Sequence, residues 1–453
     1  MNRETQISPA GRLLRLFVDI RKREVEPAIL FFLFWFLVIV VFWVLKPLKT
    51  GFFIEYLGAR VELYAKLANI GVALVAVLAF SWLFEKLGSR KLIFTLCGLF
   101  VAALLFFTTL LGRAGPPPVL ANWSFYLFGD LWTTVWVTTF WAYLNEMTRT
   151  DQSKRLYGLI GGGGIIGGLV GVLSVAAFVE KESVSADTFL VGAAVATLAI
   201  GAIVWRIEAL AGRSEAPIGR GRSEDRLQAE KKTGTEGSKG NAALEGAKLA
   251  LASKYLFAIV MIVLLYEFAS QILDYQYKIE LESLQGEEAT SAFFARVGVI
   301  INTVSIITQF FLVSFIIRRF GITTALLVLP VAMLVSSGIY FMIPVLWAGS
   351  LLTVSDNAFS YSINQTSRET LFVPTSPDVK YKARAFANMF VQRAGKGIAI
   401  GLALLLAMMP VRFLSILAGV VIVIWAGFAW YAGRRFDGLT GNAADERVEE
   451  ALA

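Results

Sequence analysis

Apolar residues in this chain come in runs too long for the strands or helices of a soluble core. Runs of spanning length recur near 27–54, 61–84, 91–112, 123–144, 157–178, 187–205, 253–278, 292–316, 323–343, 346–370, 386–408 and 413–432. A bilayer is crossed by about 20 predominantly apolar residues wound as a helix, and no backbone without internal hydrogen bonds survives in lipid. The pattern therefore predicts an all-α polytopic membrane protein of twelve transmembrane helices. The fourth, seventh and tenth runs are more polar than the rest, which suits helices that line a cavity. The first carries Pro47, which allows a kink.

The pattern breaks once. Residues 206–252 are rich in Arg, Lys, Glu, Gly and Ser, and such a segment buries too little apolar surface to fold alone. It reads as a flexible cytoplasmic linker between an N-terminal six-helix bundle (27–205) and a C-terminal one (253–432). A cytoplasmic N-terminal segment (1–26) and a tail (433–453) complete the division. Within the first segment, 11–20 places Leu13, Leu14, Leu16, Phe17 and Ile20 at helical spacing opposite Arg12 and Arg15, as an interfacial helix would. The first apolar run is too long for the core of a cleavable signal.

Composition agrees. The 453 residues are 57% hydrophobic and 17% charged, with one cysteine and no histidine. Disulfide frameworks, histidine catalysis and histidine metal sites are excluded, and neither a cofactor nor a metal is expected. The net charge of +8 finds its explanation in topology. With the N-terminus inside, 31 of the 42 Lys and Arg fall in inward segments, 7 in outward ones and 4 within spans. That asymmetry predicts both termini and the central loop in the cytoplasm and accounts for the basic charge without nucleic acid; with no Ser/Arg-rich transit extension at the start, the membrane expected is a cell inner membrane.

The halves repeat each other. Phe84-Glu85-Lys86-Leu87-Gly88 after the second span matches Ile317-Arg318-Arg319-Phe320-Gly321 after the eighth, 233 residues on. Arg155-Leu156-Tyr157 with Gly168 matches Arg384-Ala385-Phe386 with Gly397, at an offset of 229. Twelve spans, a charged central linker and basic-Gly turns resemble the major facilitator superfamily. That resemblance implies two six-helix bundles working by alternating access around a central site.

Charges inside spans are expensive and face protein or water. Arg393 and Lys396 lie three residues apart, two to three turns into the eleventh span, deep for snorkelling. Their natural use is to receive an anion. Lys46, Lys49 and Lys278 carry the alternative of an outer interfacial position, and Asp274 with Lys278 that of an i,i+4 structural pair. Glu267 and Arg296 are expected to pair across spans seven and eight, and Asp356 lies in a polar run. Gly161 to Gly164, with Gly167 and Gly168, are followed by Ile165-Ile166 inside the group and lack the Lys-Ser/Thr of a phosphate loop. Their small-xxx-small spacing fits tight helix packing.

Several strings are similar to the ATP/ADP translocases of plastids and intracellular bacteria. They are Asp130-Leu131-Trp132 with Phe140 to Glu146, Ile272 to Lys278, and Arg368 to Pro374 followed by Pro377, Lys380, Lys382 and Arg393-Ala394-Gly395-Lys396. The resemblance implies a nucleotide antiporter of the ATP/ADP-exchange type, ATP-binding but without hydrolysis and so not an enzyme. It places functional residues at Lys49, Asp130, Asp274 and Lys396. Both acids are aspartates here, one methylene shorter than the glutamates of the family. Arg393, Lys278 and Lys46 join the candidate substrate-binding set on charge and position. A monomer in the lipid bilayer is the expected state. Two other readings stay open: a proton-coupled or exchange transporter of another organic or phosphorylated anion, and a non-transporting sensor or scaffold.

Overall fold

The structure is a computed structural model and describes residues 24–111, 116–148, 150–178, 185–211, 248, 253–284, 286–372, 374–375, 386–406 and 409–452. The amphipathic segment expected at 11–20, nearly all of the expected linker, and Pro377, Lys380 and Lys382 lie outside the described residues. Among the described residues every regular element is a helix.

In chain order the elements are α1 (Val25–Leu57), α2 (Ala59–Leu111), α3 (Val119–Met147), α4 (Thr150–Phe178), α5 (Ala186–Ala211), α6 (Lys254–Leu281), α7 (Glu287–Ile307) and α8 (Val313–Met342). They continue with α9 (Leu346–Phe359), α10 (Gln365–Thr370), α11 (Gln392–Leu405) and α12 (Leu414–Leu452). Three π-helical segments, Thr308–Leu312, Ser360–Asn364 and Phe386–Val391, lie between α7 and α8, between α9 and α10, and before α11. Each expected span has a helical counterpart, although helices and spans do not correspond one to one. The second and third spans are both in α2, and the tenth is divided between α9 and α10.

Two glycines carry the repeat into the backbone. α2 breaks at Gly88 (φ 67°, ψ 166°) and α8 at Gly321 (φ 82°, ψ 173°). These dihedrals are closed to a side chain with a Cβ, so a glycine is required at both turns. The motif read at an offset of 233 residues is thus one turn used twice. Pro47, by contrast, is accommodated inside α1.

Eight helices among the described residues are long and apolar enough to cross a membrane. The expected second, fourth, tenth and eleventh spans fall outside that set. The tenth and eleventh are interrupted by π turns, and α3, the helix of the fourth, carries Asn122, Asp130, Asn145 and Glu146. Large apolar side chains stand exposed on the helices, Trp205 at 61%, Phe311 at 71% and Trp347 at 73%. In water such a surface would be an aggregation liability; in lipid it is the outer face of the protein.

The chain forms two compact units. The first comprises Met1–Thr50 with Gly71–Gly237, the second Gly51–Ile70 with Ser238–Ala453. In the first unit α4 lies directly on α1. A Cβ added at Gly163, Gly167 or Gly171 would meet the carbonyl oxygens of Phe32, Phe36 or Val40 at 2.5–2.6 Å. The glycine stripe is a packing face, as its spacing suggested. Beside it an aromatic cluster fills the interior: Phe34 meets Phe140 edge-on at 5.1 Å and Trp136 at 6.0 Å. The core of the second unit joins α6, α8 and α12 through Leu273, Tyr275, Leu329, Ile422 and Trp425. The tips of α1 and α2 belong to this unit: Tyr56 donates to Glu287 at 3.1 Å, and the Ala59 amide donates to Glu282.

Candidate substrate site

Two lysine–carboxylate pairs stand out, one in each unit. In the first, Lys49 of α1 donates to Asp130 of α3, and its ammonium lies 4.2 Å from the centroid of the Tyr126 ring. The stem of the lysine passes over Gly129, where a Cβ would come within 2.8 Å of Lys49 Cδ. A glycine before the aspartate thus clears the lane by which the lysine reaches it. Lys49 is buried, its side chain 7% exposed, while Asp130 is 30% exposed. One turn earlier on the same helix, Lys46 sits over Trp43 at 4.7 Å and Phe42 at 5.6 Å. A cation against an aromatic face is stabilised by the ring quadrupole.

In the second unit the accessibility is inverted. Glu267 of α6 is buried, and α11 engages it twice: Gln392 donates at 2.5 Å, and Lys396 lies at 3.5 Å with 41% of its side chain exposed. Gly395 stands between them against Leu264 and Glu267, where a Cβ would make contacts of 3.1–3.3 Å. The glycine lets α11 close on α6, and residues on either side of it reach the carboxylate. The sequence offered Arg296 as the partner of Glu267; the structure supplies Gln392 and Lys396. Arg393, one turn before Lys396, is exposed.

Asp274 and Lys278 occupy a different setting. Asp274 accepts from Lys66 and from Lys278, the latter at 3.2 Å, and Lys278 also donates to Glu62 at 2.5 Å. Glu62 and Lys66 are i,i+4 on α2, as Asp274 and Lys278 are on α6. The two opposite-charge pairs interlock crosswise, so each buried ion has a counter-ion. The i,i+4 pairing anticipated for Asp274 and Lys278 is present. What sequence reasoning missed is its reciprocal, although the Glu62-xxx-Lys66 spacing was there to be read. Tyr126 and Gln392 were also missed; neither carries a charge to draw attention.

Chemically, a lysine held by one carboxylate is a reserved cation. The pair is neutral and tolerable inside a membrane protein, yet a phosphate oxygen can replace the carboxylate without a change in the kind of bond. The seven residues expected at a substrate site thus divide by setting. Lys49 with Asp130, and Lys396 with Glu267, are pairs with one exposed member. Lys46 rests on aromatic rings, Arg393 is exposed, and Asp274 with Lys278 belongs to an ion lattice.

Residues 111–354 match the model of the TLC ATP/ADP transporter family. The chain belongs to that family. The matched stretch contains Asp130, Asp274 and Lys278. Similarity to TLC relatives extends beyond it. ADP,ATP carrier protein 1 of Chlamydia trachomatis serovar D is 22% identical over 519 aligned positions, covering 99% of this chain and 96% of the relative. ADP,ATP carrier protein 5 of Rickettsia conorii is 24% identical, covering 70% of each. Among solved structures, the nucleoside transporter NupG superposes with a TM-score of 0.56 at 14% identity, over 93% of this chain and 99% of its own. The POT family transporter PepTSo gives 0.58 at 11%, with the same coverage. At such identities the likeness shows the fold, that of the major facilitator transporters. This TLC chain is therefore a multi-pass membrane transporter of that fold.

Proposed function

We propose that this chain is an antiporter that exchanges ATP for ADP. Membership of the ATP/ADP transporter family supports the substrate class, as do the ADP,ATP carriers that align along nearly the whole chain. The observation that carries the local chemistry is Lys396: a part-exposed lysine in the first turns of α11, its ammonium 3.5 Å from a buried acid. A phosphate reaches such a lysine without first displacing a carboxylate from its outer side. Lys49 works the other way, because Asp130 is the exposed member. Phosphate must draw the aspartate aside before it meets the lysine. In this reading each lysine is a phosphate ligand offered by its own unit, and Asp130 and Glu267 hold their lysines when substrate is absent. Arg393 adds a planar donor that can fork onto two phosphate oxygens.

Exchange follows from the same chemistry. Without substrate each lysine stays bonded to its acid, and a rearrangement that parts them leaves buried charges unpaired; with substrate the phosphates supply the lysines' countercharge. Transport needs no phosphoryl transfer, so the protein is read as a transporter without enzymatic activity. The excess of Lys and Arg in inward segments supports cytoplasmic termini, and one chain is taken as the transporting unit.

The test is uptake of labelled ATP into proteoliposomes, with unlabelled ATP, ADP, other nucleotides, inorganic phosphate and sugar phosphates as competitors. Adenine nucleotides should compete best. Competition by phosphate or sugar phosphates as strong as that by ADP would assign the protein to another anion.

A further inference from the structure

In the second unit Lys66 pairs with Asp274, Lys278 with Glu62 and Lys396 with Glu267. Asp356 of α9 is a fourth acid, 4% exposed. It accepts from Ser270 of α6 at 2.5 Å, and its other oxygen is buried with no hydrogen-bond partner among the described residues. The charged groups of α6 that act on it are both acids, Glu267 and Asp274, while the Tyr266 hydroxyl is a second donor to the carboxylate. Among the described residues the other helices packed on α9 bring no countercharge to it. α8 contributes the Ser336 hydroxyl, bonded to Ser355, and the arginine of α7, Arg296, is exposed. A carboxylate buried without a counter-ion is far costlier than its neutral acid.

We propose that Asp356 is a proton-binding site linked to nucleotide binding through Glu267 and Lys396. The linkage rests on the reading of Lys396 as a phosphate ligand. With Asp356 protonated, Glu267 alone holds Lys396, and the ammonium is released readily to phosphate. Loss of the proton places a second negative charge beside Glu267, which strengthens the field on Lys396 and opposes its release. Proton and nucleotide therefore favour each other's binding, and by reciprocity nucleotide affinity falls as pH rises through the titration of Asp356. One linked proton allows a fall of up to roughly tenfold per pH unit.

The test is ATP binding to the purified full-length protein, measured across the pH range over which it stays folded. Wild type, Asp356→Asn and Ser270→Ala are compared, so that the ionisation of ATP itself is common to all three. Asparagine mimics the neutral acid, and Asp356→Asn should keep the tight, low-pH affinity where wild type weakens. Ser270→Ala removes a donor that favours the ionised carboxylate and should displace the weakening to higher pH. Coincident wild-type and Asp356→Asn profiles would overturn the proposal. Should Asp356→Asn fail to fold, Ser270→Ala decides alone, displacement supporting the proposal and coincidence with wild type overturning it. Absence of ATP binding by wild type at every pH would instead refute the nucleotide reading, and this inference with it.

Discussion

At the residue scale, the two lysine–carboxylate pairs differ in which member is exposed, and the difference predicts unequal mutants. Lys396→Ala removes a charge-assisted contact worth about 1.5–3 kcal/mol, so the apparent affinity for ATP should weaken on the order of 10- to 100-fold. It also leaves Glu267 buried without its lysine, which costs stability. Lys396→Arg keeps the charge and should retain most of the affinity. Measuring ATP affinity and thermal stability of both variants separates the two effects; an alanine variant with unchanged affinity would remove Lys396 from the site. Lys49, Asp130 and Lys396 were legible in the sequence because ions inside apolar runs are conspicuous. The partners were not: Glu267 could be seen as a buried acid, but only the fold shows that Gln392 and Lys396 straddle Gly395 to reach it.

At the element scale, glycines set the helix contacts. Backbone carbonyls of α1 lie where a Cβ on Gly163, Gly167 or Gly171 would stand, and backbone cannot swing aside as a side chain can. Gly167→Ala should therefore separate α4 from α1 at a cost of about 1–3 kcal/mol. The cost would be visible as a lowered midpoint of thermal unfolding in detergent. Gly401→Ala, a site with open space around the added Cβ, is the control expected to leave that midpoint nearly unchanged. Equal effects at both positions would contradict the packing role of the stripe. The spacing of these glycines predicted close packing, and the structure names the partner helix. The turns at Gly88 and Gly321 were legible too, since a basic-Gly motif repeated in both halves implied a shared backbone need. The π turns at Thr308–Leu312, Ser360–Asn364 and Phe386–Val391 were not. They depend on how a continuous helix accommodates one extra residue against its neighbours, and apolar periodicity is too coarse to register that.

At the scale of the whole molecule, the apolar runs and the interrupting polar segment disclosed a polytopic helical protein with internal duplication. The assignment of Gly51–Ile70 to the second unit was not visible. The boundary expected from composition followed the linker, whereas the compact units follow side chains such as Glu62 and Lys66, whose counter-ions on α6 are more than 200 residues away. Pairing over such separations leaves no trace in local pattern. The role proposed for Lys49 and Lys396 sets an expected behaviour: cations locked to acids when empty and released to phosphate. The most direct test is counter-exchange. Proteoliposomes containing the purified protein are loaded with ADP or left empty, and uptake of labelled ATP is followed in both. The account predicts rapid uptake into ADP-loaded vesicles and little into empty ones; equal uptake into both would contradict it.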